Sequence, residues 1–191
     1  MIGLLQKFFG GDDVARRDAA AAYNVLMTHS RNPQWYRENQ VPDTFQGRAE
    51  LLLMHVAIVM KICLRHGSNG KALQQALFDH MKDDFDVALR EEGYSDTGVK
   101  RRIKPLIQLF YQTAEQYFTA LDHATDDELL AILKGNEGDV DGLGEASATY
   151  RAKLAQYVRA FHEDNLTLAL GDIARGRFRF PAIPSQQAPV R

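Results

Sequence analysis

The sequence has little cysteine, no excess of charge of one sign and no long uninterrupted apolar run. Cys63 is its single cysteine, so a disulfide within the chain is excluded. The 23 basic and 25 acidic residues give a net charge of −2, which argues against a dedicated nucleic-acid binder. The longest apolar stretch, "LLLMHVAIVMKICL", is interrupted by His55 and Lys61. A spanning helix needs about 20 predominantly apolar residues, so this stretch is predicted to be a buried core helix.

The remaining composition is that of one soluble globular domain. The chain has 191 residues, of which 45% are hydrophobic and 25% charged. No segment alternates with period two, whereas helical periodicity recurs throughout. We predict an all-α fold, a single-domain helical bundle of about six helices with an extended C-terminal tail. The predicted divisions are an apolar arm at residues 1–11, a helical domain at 12–176 and a proline-containing tail at 177–191.

Caps and breakers give the predicted helix ends. The second helix begins near Asp43 or Thr44 and ends at "RHGSNG", and the third runs from about Lys71 to a stop at Gly93. The fourth keeps one apolar register through Pro105, so we favour one kinked helix over two separate ones. "TDDE", residues 125 to 128, predicts a capping box at the start of a short helix. One long last helix is predicted to follow, reaching Leu168.

No set of residues in the sequence indicates catalysis or metal binding. The Glu-x-x-His pairs of carboxylate-bridged metal bundles are absent. His80 and Asp84 share a helical face, but two ligands do not make a metal site, and Asp84 is expected to pair with a neighbouring cation or hydrogen-bond donor. No G-x-S-x-G or phosphate-binding glycine loop occurs. We therefore predict no catalytic residue, no cofactor and no metal. A helical-bundle enzyme that binds a metal or ligand remains an alternative.

The N-terminal stretch "IGLLQKFF" supports a second alternative. Its apolar residues can contact a membrane surface or a partner, which would make the protein a membrane-surface adaptor. A single lysine gives little attraction to anionic lipid. We therefore favour folding of this stretch back onto the bundle.

The stretch "DVALREEGYSDTGVKRRIKPL", residues 86 to 106, reverses its charge in the middle. Acids end the third predicted helix and cations begin the fourth, and the helix dipole disfavours both arrangements. One interpretation is that these acids and cations pair across the turn, with Ser95 or Asp96 as the cap. The other is that the cations remain available for an acidic or carbonyl-rich partner. Spacing alone does not choose between them.

Two blocks of the sequence resemble a known family. "FDHMKDDFDVALREEGYSDTGVKRRIKPLIQLFY" and "RNPQWYRENQVPDTFQGRAELLLMH" are similar to the patterns of the ubiquinol–cytochrome c chaperone family. "LLAILKGN" stands where the family has a leucine-rich helix that ends in Asn. The resemblance covers about residues 20–136. The chain departs from the family pattern at Trp35, where Phe is more usual, at Ala49 and at Gln112, and these are changes of packing type.

The resemblance implies an all-helical, non-enzymatic assembly factor. Mitochondrial members of the family assist biogenesis of cytochrome b, the membrane subunit of the bc1 complex, together with a small partner protein near the ribosome and the inner membrane. The present chain resembles a bacterial member, so we expect a cytoplasmic protein. Peripheral contact with the inner membrane, a small helper protein and ribosome contact are left open.

The resemblance also gives candidate site residues. The residues expected to bind a partner lie at the charge reversal and are Arg90, Glu91, Asp96, Lys100, Arg101, Arg102 and Lys104. A second group is expected to be either structural or partner-binding and comprises Asp43, Arg48, His55 and Asp84.

Overall fold

The structure, a computed structural model, describes residues 19–123, 125–135 and 142–185. Within these ranges the chain forms helices joined by short connections and contains no β-strand. The predicted all-α bundle is therefore confirmed. The helices are α1 (residues 19–30 of the described chain), α2 (Phe45–Cys63), α3 (Gly67–Glu91), α4 (Asp96–Ala120), α5 (Asp127–Lys134), α6 (Ala148–Asn165) and α7 (Leu170–Ala174), with short 3-10 helices at Pro33–Tyr36, Leu64–His66 and Leu143–Glu145.

Helix α2 is the centre of the bundle, as its nearly all-round apolar pattern predicts. Every residue from Leu51 to Met60 is buried, and α2 packs against α3, α4, α6 and α7. The helix begins after Thr44, whose Oγ1 accepts a hydrogen bond from the Gly47 N–H at 3.0 Å. Gly47 leaves no room for a side chain, because an added Cβ would lie 2.3 Å from the Pro42 carbonyl oxygen.

Helix α3 begins earlier than the sequence predicts. Its first residue is Gly67 rather than Lys71, so the whole glycine-containing segment "GSNG" is helical. Close packing explains the glycine at position 70, since an added Cβ on Gly70 would lie 1.8 Å from the Cys63 carbonyl oxygen. Gly70, which suggests a loop in the sequence, therefore allows the end of α2 and the start of α3 to pack closely.

The turn between α3 and α4 follows the prediction. Helix α3 ends at Glu91, and Gly93 follows with a φ of 88°, a left-handed conformation that favours glycine. Ser95 is the N-cap of α4, and its Oγ accepts a hydrogen bond from the Gly98 N–H at 3.4 Å. Helix α4 is continuous through Pro105. The prediction of one helix rather than two is therefore confirmed.

The long last helix predicted from the sequence is wrong, because the chain leaves the helical path after Asn165. Asn165 is fully buried. Its Nδ2 donates to the carbonyl oxygens of Phe161 at 2.7 Å and Arg179 at 2.9 Å, and its Oδ1 accepts the Arg179 N–H at 2.8 Å. The Asn165 amide thus joins the end of α6 to the C-terminal segment through hydrogen bonds. Helix α7 then starts separately at Leu170.

The capping box predicted at residues 125–128 does not form. Helix α5 begins at Asp127, and the residue in the cap position, Asp126, makes no side-chain capping bond. Its Oδ1 instead accepts a hydrogen bond from Arg159 Nε on α6 at 2.6 Å. Arg159 also donates to the carbonyl oxygens of His123 and Thr125. A long-range ion pair has therefore replaced the local cap.

The C-terminal segment at residues 177–185 has no regular secondary structure. Phe178, Phe180 and Ile183 pack against the core from this segment. The division of the chain at residues 11 and 176 stays a prediction, and the apolar arm at residues 1–11 lies outside the described residues. Among the helices of the described residues, none is long and apolar enough to cross a membrane.

Candidate functional site

The charge reversal lies at the turn between α3 and α4, and one ion-paired group bridges it. Arg90, in the last turn of α3, donates to Asp86 at 2.5 Å and pairs with Asp96 in the first turn of α4. The hydrogen bonds that Arg90 donates to Asp86 and Asp96 hold the pKa of Arg90 above its usual range, and the bond that Asp96 accepts lowers the pKa of Asp96. Arg90 and Asp96 each lie at the helix end that the dipole favours for their charge.

The other cations of the turn do not form ion pairs that bridge α3 and α4. We call Lys100, Arg101 and Lys104 the basic corner; all three are exposed. None of them belongs to an ion pair within the part of the chain that the structure describes. Arg102 lies apart from them, with its guanidinium carbon 3.8 Å from the centroid of the Tyr94 ring.

The acids at the end of α3 do not neutralise the basic corner. Glu91 and Glu92 are exposed, and neither forms an ion pair among the described residues. Pairing across the turn therefore accounts for Arg90 and Asp96 alone. The basic corner faces solvent, as the partner-facing interpretation requires.

The second group of candidate residues is dispersed in the structure. Arg48 Nε lies 2.6 Å from Asp43 Oδ1 in an exposed pair, and its guanidinium lies over the Tyr36 ring at 5.4 Å. The hydrogen bond from Arg48 lowers the pKa of Asp43. Asp84 accepts a hydrogen bond from the Tyr23 hydroxyl at 2.9 Å, which ties α3 to α1. Asp84 thus has the hydrogen-bond donor that its sequence position leads us to expect.

His55 does not share a surface with Arg48, because His55 is fully buried. Its Nδ1 lies 2.7 Å from the Leu51 carbonyl oxygen, so this nitrogen carries the proton. Its Nε2 must then accept the hydrogen bond from the Tyr157 hydroxyl at 2.9 Å. The same hydroxyl oxygen lies 2.9 Å from His29 Nε2, which therefore donates to it. One buried hydrogen-bonded chain thus joins α1, α2 and α6.

The groups of this buried chain are not poised for proton transfer. Burial lowers the pKa of His29 to about 4 and the pKa of His55 to about 3. Burial also raises the pKa of Tyr157 above its usual range. All three are neutral at neutral pH, and the aromatic rings of Trp35 and Phe180 lie against the histidines. Of the two roles left open for His55, the structural one fits this environment.

Acid is expected to destabilise the protein through these histidines. Their folded pKa values lie below the ordinary value of 6.5, so below pH 6.5 the unfolded chain binds more protons than the folded one, and stability falls as pH falls. The melting temperature should decline between pH 6.5 and 5, above the range in which aspartates titrate. Burial also lowers the pKa of His162, which acts in the same direction.

Thermal unfolding across this pH range checks the expectation, with His29→Gln as the comparison. Glutamine keeps a hydrogen-bond donor but does not titrate, so the variant should lose part of the decline. An equally steep decline in His29→Gln would assign the acid sensitivity to other groups.

A groove of about 670 Å³ lies beside α4, on the side that faces α2 and α5. Leu53, Tyr117 and Leu133 give it apolar walls, and Glu115 and Glu128 are also in its lining. Glu50, a further lining residue, is held in place because its Oε2 accepts the Leu143 N–H at 2.7 Å. Among the residues that the structure describes, no three His, Cys, Asp or Glu side chains are grouped so as to hold a metal ion.

Sequence reasoning missed the buried chain through His29 and Tyr157 and the residues that line the groove beside α4. Residues 29, 55 and 157 are distant in sequence, and no local pattern relates them. The separate positions carried a weak signal, since His29 lies in the last turn of an alanine-rich helix and the apolar residues Leu154, Tyr157 and Phe161 recur at helical spacing. Their convergence depends on how α1, α2 and α6 pack together.

Comparison with known proteins agrees with this architecture. The family model described as ubiquinol–cytochrome C chaperone matches residues 37–180. The crystal structure of the Cbp3 homolog from Brucella abortus is similar to this chain, with 27% sequence identity and a TM-score of 0.75. That match covers 94% of this chain and 97% of the other. No curated protein matches the chain.

The family match extends beyond the two blocks that carry the resemblance in the sequence. It includes α2, the turn between α3 and α4 with the basic corner, α6 and the segment that reaches Phe180. A match over more than half of the chain, joined to a similar solved fold, establishes membership. The chain belongs to the ubiquinol–cytochrome c chaperone family.

Proposed function

We propose that this protein is a non-catalytic assembly chaperone that binds newly made cytochrome b and supports biogenesis of the cytochrome bc1 complex. The observation that carries the proposal is the family match over residues 37–180. It includes the basic corner, whose cations are exposed and outside every ion pair of the described residues. Membership supports a role in assembly of the complex, and the exposed cations suggest how a client is recognised.

The proposed mechanism is holding of the client. A newly made membrane subunit has polar loops and an unfilled cofactor pocket that require protection until the subunit is complete. The basic corner would attract acidic side chains or carbonyl-rich turns of these loops, and complementary charge mainly fixes register and speeds encounter. The groove beside α4 would cover apolar side chains of the client. Such holding requires no covalent step, and the proposal depends neither on a small helper protein nor on membrane contact.

Deletion of the gene tests the proposal. A strain that lacks the protein should contain less assembled bc1 complex and less cytochrome b haem absorbance, while the cytochrome b transcript persists. A plasmid copy of the wild-type gene should restore both. Cytochrome b should also co-purify with the tagged protein from the restored strain. Normal bc1 levels in the deletion strain would contradict the proposal.

A further inference from the structure

A second, smaller groove lies on the other side of α4, where α4 faces α3. We call it the hairpin groove; its volume is about 300 Å³. Its apolar lining includes Met60, Phe78, Phe110, Tyr111 and Phe118. The rings of Phe78 and Tyr111 have centroids 5.0 Å apart, and those of Phe78 and Phe110 are 5.7 Å apart. The volume is at the lower end for ligand pockets, so it suits one or two side chains rather than a cofactor.

The hairpin groove offers mainly apolar surface to an occupant. Gln74 Nε2 lies 3.5 Å from the Met60 carbonyl oxygen, and Gln75 Nε2 donates to Asp79 at 3.1 Å, so these amides have partners within the fold. Tyr111 is 53% exposed although it packs against two other rings. A ring exposed to this extent at the mouth of an apolar groove is available to contact a partner.

Tyr111 and two residues of the basic corner, Lys100 and Lys104, lie on one exposed stripe of α4. Lys104 precedes Tyr111 by seven residues and Lys100 precedes it by eleven, and both spacings return to nearly the same helical face. At about 1.5 Å per residue, the cations lie about 10 Å and about 16 Å from the aromatic ring along the helix. Beyond Tyr111 the stripe reaches Glu115, which also lines the groove. The stripe is therefore cationic at one end, apolar near the other and acidic at its limit.

We propose that the hairpin groove and the basic corner form one docking surface for a client segment that carries a large apolar side chain and an acidic side chain about 10 Å apart along α4. The apolar side chain enters the groove beside Tyr111, and the acidic side chain meets Lys104. Glu115 repels an acidic side chain at the opposite end, so the segment binds in one direction. This inference rests on the proposed function, and it specifies where and how the client binds.

Site-specific photo-cross-linking tests the inference in the full chain. A photoreactive benzoylphenylalanine replaces Tyr111 in one tagged protein and Val87 in another, in cells that make cytochrome b. Val87 is a matched control because it is 52% exposed, nearly the same as Tyr111. It lies nine residues after Phe78 on α3, which places it on the opposite side of that helix from the hairpin groove. We expect cytochrome b to cross-link at position 111 and not at position 87. The cross-linked peptide should carry an acidic residue within about ten residues of the attachment point.

Substitutions at Tyr111 give a second measurement of the same contact. Tyr111→Ala should reduce the amount of captured cytochrome b about tenfold, as expected for loss of an aromatic anchor. Tyr111→Phe keeps the ring and should capture nearly as much as the wild type. Val87→Ala should have no effect. Melting temperatures of Tyr111→Phe and Val87→Ala should agree with that of the wild type, because Tyr111→Phe keeps the ring and its packing and position 87 is exposed.

The outcomes separate this inference from the proposed function. Cytochrome b that co-purifies but cross-links at position 87, or at neither position, would overturn the docking surface and leave the proposed function intact. A cross-link from position 111 to a second copy of this chain would also overturn it. Absence of cytochrome b from every purification would overturn the proposed function and, with it, the inference.

Discussion

Replacement of Lys100 and Lys104 together by glutamate is expected to abolish capture of cytochrome b while the fold remains intact. Like charges brought together at an interface cost several kcal/mol, and the double reversal presents acids to a partner surface that the basic corner is proposed to attract. Co-purification of cytochrome b with the tagged variant measures the effect. In the deletion strain, the same variant should fail to restore the bc1 complex.

The stability of this variant should change little. Lys100 and Lys104 are exposed and outside every ion pair of the described residues, and surface substitutions of this kind usually change the free energy of unfolding by less than about 0.5 kcal/mol. The melting temperature should therefore stay within about 2 °C of the wild type. Glutamate at position 100 comes near Asp96 on α4, which costs a few tenths of a kcal/mol.

A matched control distinguishes position from net charge. Lys71→Glu with Lys134→Glu changes the net charge by the same amount, at two exposed lysines that form no ion pair within the described chain. This control should capture cytochrome b normally. A large loss of stability in the Lys100 and Lys104 variant with capture preserved would instead give the basic corner a structural role. Equal loss of capture in both variants would indicate a general effect of charge.

Trp35→Ala is expected to cause a large loss of stability. Trp35 is fully buried, and its ring lies 5.0 Å from Tyr157 and 5.6 Å from both His29 and His55, measured between ring centroids. Truncation of a buried tryptophan to alanine costs about 3–5 kcal/mol. For a chain of this size that corresponds to a decrease in melting temperature on the order of 10 °C. Thermal and denaturant unfolding measure it.

Trp35→Phe is the control, because it keeps an aromatic ring and removes the indole N–H. That N–H donates to the His29 carbonyl oxygen at 2.9 Å. The carbonyl oxygen retains a second hydrogen bond, from the Asn32 N–H at 3.1 Å, so the cost should be only about 1 kcal/mol. Equal destabilisation by the two substitutions would show that the ring contributes little to packing.

Local patterns predicted the elements whose ends are determined by local chemistry. The apolar sequence of α2 identified a central helix, and Gly93 with Ser95 identified the turn before α4, because caps and left-handed glycines act within a few residues. Continuity of α4 through Pro105 followed from an unbroken apolar register. The charge reversal was visible in the sequence. Only the interatomic distances in the structure show that Arg90 bridges the turn through ion pairs while the basic corner forms none within the described chain.

Features fixed by contacts between distant residues could not be predicted in this way. Asp126 pairs with Arg159 instead of capping α5. Asn165 ends α6 because its side-chain amide forms hydrogen bonds with the backbone of Arg179. The hydrogen-bonded chain through His29 and Tyr157 likewise depends on the packing of separate helices. Each of these side chains has a favourable local role available, and the tertiary partner competes successfully with it.

The attachment of the C-terminal segment has a consequence for the order of synthesis and folding. Phe180 stacks on His29 with ring centroids 3.8 Å apart and on Phe161 at 5.0 Å. His29 is synthesised well before Phe180, because it lies in α1 and Phe180 follows α7. The bundle can collapse around α2 as it is made, but the aromatic cover over His29 and His55 forms only after Phe180 has been made. A nascent chain stopped before Phe180 would expose this apolar surface and would itself require protection from aggregation.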